Sequence, residues 1–165
     1  MIWSKLKKSI KDRFSDNVKK EVDFYMTEYG GSSGEGRAWI TINGAEVVNF
    51  STAESYVHFG QPWNELTKDD RWARHAKVDE KDRTEGLFIE KGEFSRGDFT
   101  DSCYYYLDLN ISDAQSSEHP IIRMLATLDK RTGKRKLMAW VETEKNPLVK
   151  YFLSYRLQKE KNLSA

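Results

Sequence analysis

The pair Asn43-Gly44 inside RAWITINGAEVVNF constrains this chain more than any other feature. A two-residue type I′ hairpin loop needs positive φ at both central positions, and Asn-Gly adopts it readily. β-branched and aromatic residues flank the pair on both sides, so the stretch predicts two antiparallel strands. Upstream, Val22, Phe24 and Met26 alternate with Asp23, Tyr25 and Thr27, the period of a half-buried strand. GGSSGEG, residues 30–36, separates the two patterns and reads as a flexible loop. The first third of the chain therefore carries a small antiparallel sheet.

Helical spacing brackets that sheet. Trp3, Leu6, Ile10 and Phe14 fall at steps of three, four and four, one stripe of a helix with Lys7, Lys8 and Lys11 off it. Docking on the sheet is the expected use of that stripe. STAE at Ser51 and LTKDDRWARHAK at Thr67 each offer a helix start, and VDEKDRTEG is too charged to bury. EGLFIEKG reads as a helix closed by Gly92. SRGD then opens another, with Ser95 as N-cap and Asp98 three positions on. Its inner face would hold Phe99, Cys103, Tyr106 and Leu107; the run Tyr104-Tyr105-Tyr106 fans over about 200°, so not all three rings can be core. Finally, HPIIRMLATLDKR at residue 119 echoes NPLVKYFLSYRLQ at residue 146. Each starts with a polar residue and a proline, which loses no hydrogen bond at the first helical position. Two similarly built helices packing as neighbours are expected.

The 165 residues, 38% hydrophobic and 13% aromatic, suit one globular domain. Cys103 is the single cysteine, which excludes an internal disulfide and fits a reducing cytoplasm. MIWSKLKKSIKDRF has no long apolar run, so no secretory signal is expected there. No window of about 18 apolar residues exists, so no membrane span is expected.

The net charge of +1 hides a segregation. Residues 1–20 hold seven Lys/Arg against two Asp, residues 130–165 hold ten against three, and the middle is acidic. Either the ends neutralise the protein's own carboxylates, or both termini build one basic face for an acidic partner. The run LDKRTGKRKL sharpens the question. If the helix from Pro120 ends here, Gly133 is its C′ residue, and Lys130 and Arg131 complement its dipole. Lys134, Arg135 and Lys136 then lie past the cap and need another reason. Arg131, Lys134, Arg135 and Lys136 are the candidate anion-binding residues.

Several chemistries are disfavoured. TGKRK lacks the earlier glycine and preceding strand of a phosphate-binding loop. A helix-turn-helix over residues 84–107 would aim Asp98 and Asp101 at phosphates. His58, His75 and His119 are scattered without paired cysteines, so no metal site is expected. Cys103 on an apolar face reads as a small core hydrophobe rather than a nucleophile. No catalytic residue and no cofactor are expected. Trp3, Trp39 and Trp140 read as core; Trp63 and Trp72, in the charged centre, are candidate partner anchors.

WSKLKKSI, GRAWITING, GEFSRGDF, HPIIRMLATLDKRTGKRKL and NPLVKYF resemble a family of small uncharacterised bacterial proteins. The likeness covers most of the chain and is weakest over residues 51–84. It implies a bacterial protein of the cytoplasm and transfers no functional residue. The expected fold is α+β, a helix on a small antiparallel sheet within residues 1–50, then a mainly helical half. The expected function is a non-enzymatic protein-binding module, of immunity type in one version. The alternatives are a nucleic-acid or polyanion binder using residues 130–136, and an enzyme whose site only the fold assembles.

Overall fold

The computed structural model describes residues 2–28, 36–51 and 94–162. The elements are α1 (Trp3–Arg13), α2 (Asp16–Lys19), β1 (Val22–Glu28), β2 (Gly36–Ile42) and β3 (Ala45–Ser51). They continue with α3 (Arg96–Asp108), α4 (Ile111–Ser116), α5 (Pro120–Leu128), α6 (Lys134–Thr143) and α7 (Pro147–Asn162). An N-terminal helix, a three-stranded antiparallel sheet in the order β1-β2-β3 and a set of C-terminal helices make an α+β fold. The loop expected at residues 30–35 lies outside the described residues. So do the elements expected between Thr52 and Gly92, together with His58, Trp63, Trp72 and His75. Ser51, expected to cap a helix, is instead the last residue of β3.

By contact the chain separates into two compact units, Phe24–Thr100 and a second made of Met1–Asp23 with Asp101–Ala165. In the first unit the hairpin forms where the sequence predicts it. Asn43 and Gly44 take φ of 51° and 81°, and Ile42 pairs with Ala45 across the turn. Ile40 pairs with Val48 and Ala38 with Phe50, all four buried, so one sheet face is apolar. Phe99 seals it, stacked on Phe50 at 4.7 Å and edge-on to Phe24 at 5.7 Å. The opposite face carries Tyr25 stacked on Trp39 at 5.4 Å, with the Arg37 guanidinium 4.2 Å from the Trp39 ring centre. Ser95 caps α3 as expected. Its hydroxyl accepts from the Asp98 amide at 3.1 Å, and its own amide donates to the Asp98 carboxylate at 2.7 Å.

The second unit holds both chain ends. Leu6, Ile10 and Phe14 are buried from the α1 stripe, as are Cys103 and Tyr106 from α3. α5 and α7, the two halves of the sequence echo, pack against each other, with α4 on α5 and with α2 and α6 on α7. Seven of the nine residues of α5 are buried. Each large aliphatic side chain so buried contributes about 1.5–3 kcal/mol, which makes this helix the centre of the unit. α7 starts as its sequence asks: the Asn146 side chain accepts from the amides of Leu148 and Val149 at 3.0 and 3.3 Å. His119 is the N-cap residue of α5, but its side chain makes no capping hydrogen bond; its Nδ1 lies 3.3 Å from the Ser102 hydroxyl.

The link between α5 and α6 departs from expectation. α5 ends at Leu128 with Asp129 as C-cap, and Gly133, with φ of −75°, is the N-cap of α6. Gly133 is therefore not a left-handed C′ residue. The helix stops early because the link folds back on itself. The Thr132 hydroxyl donates to the Ala126 carbonyl at 2.8 Å, and the Thr132 amide donates to the Asp129 carbonyl at 3.0 Å. Lys130 and Arg131 thus lie beyond the helix they were expected to cap. Lys134, Arg135 and Lys136 form the first turn of α6, at the positive end of its dipole.

Candidate functional site

Two segments from opposite ends of the sequence build one site. Phe14 leaves α1 in extended conformation and pairs with Asp129 as an isolated antiparallel bridge. The Lys130 amide donates to the Arg13 carbonyl, and the Ser15 amide to the Leu128 carbonyl, both at 2.9 Å. This bridge fixes Arg13 beside the basic run. Ser9, Asp12, Arg13, Leu107, Lys130 and Arg131 line a cleft of about 530 Å³, open to solvent.

Each cation is held in a distinct way. Arg13 donates to the carbonyls of Tyr106 and Leu107, and its guanidinium lies 5.3 Å from the Tyr106 ring centre. α3 has no basic residue in its last turn, so Arg13 supplies from α1 the cation that its negative end favours. The Lys130 ammonium donates to the Asp12 carbonyl at 3.0 Å. The Asp12 carboxylate is occupied elsewhere. Hydrogen bonds from Lys8 and then Lys19, at 2.7 and 2.9 Å, draw its pKa down to about 2. Arg13 and Lys130 are bound to neutral carbonyls, and among the described residues neither forms an ion pair, although the Asp12 carboxylate, paired with Lys8 and Lys19, lines the same cleft.

Arg131 is the exception. Its guanidinium forks onto the fully buried Asp129, with Nη2 at 2.6 Å and Nε at 3.0 Å, and its amide donates to the same carboxylate at 2.8 Å. The Tyr106 hydroxyl donates to Oδ2 of that carboxylate, the oxygen that also accepts from Arg131 Nη2. Burial opposes ionisation of Asp129, but the Arg131 and Tyr106 hydrogen bonds outweigh it and hold the carboxyl below its ordinary range. Burial, then the bond to Asp129, pushes the Tyr106 phenol far up. Tyr106, Asp129 and Arg131 form a hydrogen-bonded cluster that ends in the cleft lining at Arg131.

The remaining candidates divide. Lys136 lines a second depression of about 190 Å³ with Ser112, Gln115, Ser116, Ala139, Trp140 and Thr143. Gln115 is tied to the α5–α6 link through the Thr132 hydroxyl at 2.9 Å. Arg135 is exposed and makes no hydrogen bond or ion pair among the described residues; Lys134 is exposed beside it. Of the four basic residues singled out by sequence, Arg131 lines the cleft and Lys136 the second depression. Sequence reasoning missed Arg13 and gave Lys130 to a helix dipole. The signal that could have found them is the shared basicity of the two chain ends. Cys103 is buried, and burial pushes its thiol up, the state of a core residue. Among the described residues no cluster of three or more His, Cys, Asp or Glu could hold a metal ion. No described helix is long and apolar enough to cross a membrane.

The cleft sits in a unit whose sequence holds eighteen Lys/Arg against twelve Asp/Glu, a charge of +6. The sequence of the other unit holds nine against fourteen, a charge of −5. No curated protein and no solved structure matches the chain. The SF0329 protein family does: its model matches residues 2–157, which contain every residue lining both depressions, and the chain belongs to that family.

Proposed function

We propose that this chain is a non-enzymatic binding module that holds an anionic partner on the cleft of Arg13, Lys130 and Arg131. One observation carries the reading. Arg13 and Lys130 give their hydrogen bonds to neutral carbonyls, so two charges without carboxylate partners converge in one opening. An anion entering there gains Coulomb energy without first breaking an ion pair to either residue. The single buried thiol fits work in a reducing cytoplasm.

Binding of fluorescent polyphosphate to the full chain, followed by anisotropy at about 50 mM salt, tests the reading. Saturable binding that falls steeply with added salt, and drops at least tenfold in Lys130→Glu, is the expected result. Absence of binding to any polyanion at that salt refutes it. A protein partner is the second reading, favoured by Tyr105, 66% exposed on α3. It requires a stoichiometric partner from the native host whose capture Tyr105→Ala abolishes.

A further inference from the structure

We infer that the anionic partner is a nucleic-acid backbone, which runs from the Arg13–Lys130 cleft along residues 130–136 to the depression lined by Lys136 and Trp140. The inference rests on the reading above and assigns its ligand.

The layout argues for a long anion over a compact one. A single phosphate or carboxylate would need one depression. Here one short run supplies Lys130 and Arg131 to the first depression and Lys136 to the second, with exposed Arg135 between them in sequence. Stability does not account for this placement. α6 has no acidic residue in its first turn, and each cation there opposes the dipole by about 0.3–1 kcal/mol. A row of phosphates would convert that cost into attraction.

The linings argue against a protein as the long anion. Protein interfaces concentrate their energy in aromatic or aliphatic anchors set in pockets. Leu107 is the one apolar lining residue of the cleft; the second depression has only small Ala139 and Trp140, which is 8% exposed. Neither offers a receptor for an anchor. Phosphodiesters need none, since guanidinium, ammonium and hydroxyl groups make most backbone contacts. Neither lining offers an exposed ring to stack a base, so the backbone contacts alone carry no sequence preference.

The test uses the full chain and anisotropy with labelled oligonucleotides of about 16 residues, single- and double-stranded. Poly-glutamate and pyrophosphate serve as alternative ligands. Oligonucleotide affinity should fall with salt with a log–log slope of about −2 to −4, the release expected for three or four phosphates. Lys130→Glu and Lys136→Glu should each weaken oligonucleotide binding about tenfold and flatten the slope by about one, with unchanged circular dichroism. Pyrophosphate binding should respond to Lys130→Glu alone. Oligonucleotide binding that ignores Lys136→Glu overturns the track. Binding of poly-glutamate or pyrophosphate without oligonucleotide binding overturns the inference and leaves the cleft standing. Failure of every anion removes both.

Discussion

Replacing Asp129 by Asn tests the hydrogen-bonded cluster that ends at Arg131. The native carboxylate is fully buried and accepts from the Tyr106 hydroxyl, the Arg131 amide and two guanidinium nitrogens. The ion pair itself adds little, because the Arg131 side chain is 38% exposed and regains water when released; exposed pairs contribute under about 1 kcal/mol. The larger loss is inside. Hydrogen bonds to a charged acceptor are about twice as strong as neutral ones, and the Asn amide must turn its NH2 toward one of the buried donors. Together these predict a loss of about 2 kcal/mol at pH 7, or about 4–8 °C in Tm. The pH profile is the stricter check. The folded carboxyl titrates below its unfolded value of about 3.9, so its contribution is complete above that pH and disappears as pH falls through the lower folded value. Urea unfolding followed by tryptophan fluorescence should show a gap between wild type and Asp129→Asn that is constant from pH 7 to 5 and closes below pH 4. A variant within about 0.5 kcal/mol of wild type at pH 7, or a gap that persists undiminished to pH 2, would refute the argument.

Arg156 is buried, pairs with Glu160 at 2.6 Å, and leaves Nε and Nη1 without hydrogen-bond partners among the described residues. Arg156→Met should therefore be neutral or stabilising by about 1 kcal/mol, whereas Glu160→Gln should cost about 2 kcal/mol by stranding the guanidinium; chemical denaturation reads both. Gly44 has open space where a Cβ would lie but a φ of +81°, so Gly44→Ala should cost about 1 kcal/mol through backbone strain alone. Thermal melts would contradict this if the variant matched wild type. Arg135→Glu should move stability and binding in opposite directions. Acid in the first turn of α6 should raise stability by about 0.3–1 kcal/mol, while polyanion affinity falls about tenfold; a variant that lost both would mark Arg135 as structural.

Local chemistry made much of the fold legible. The positive φ at Asn43 and Gly44, the Ser95–Asp98 capping box and the two proline-led helices each follow from neighbours in sequence. The cleft was not legible, because Lys130 meets the Asp12 carbonyl across 118 positions, and only the Phe14–Asp129 bridge brings them together. Gly133 misled for a physical reason. Glycine suits either end of a helix, and here it opens one with an ordinary negative φ. That shift of a helix boundary reverses the electrostatic meaning of the basic run, from dipole complement to dipole opposition.

The reversal bears on why the terminal segments are basic at all. Many of their cations discharge within their own unit: Lys7 and Lys11 on Asp23, Lys8 and Lys19 on Asp12, Lys159 on Glu21. If self-neutralisation were the whole purpose, those that remain would be scattered over the surface, as Lys5, Lys20 and Lys161 are. Arg13, Lys130 and Lys136 are different, because they line concave surface. Cations gathered around one depression add their potentials there, where an exposed lysine on a convex helix acts alone. Arg131 belongs with them in a second capacity. Its charge is answered by Asp129, so it contributes geometry more than field, its guanidinium held by a carboxylate that Tyr106 in turn fixes. On the proposed reading, a ligand at the cleft would meet two cations held by neutral carbonyls beside one oriented donor, a division of labour that offsetting the protein's own carboxylates would not require.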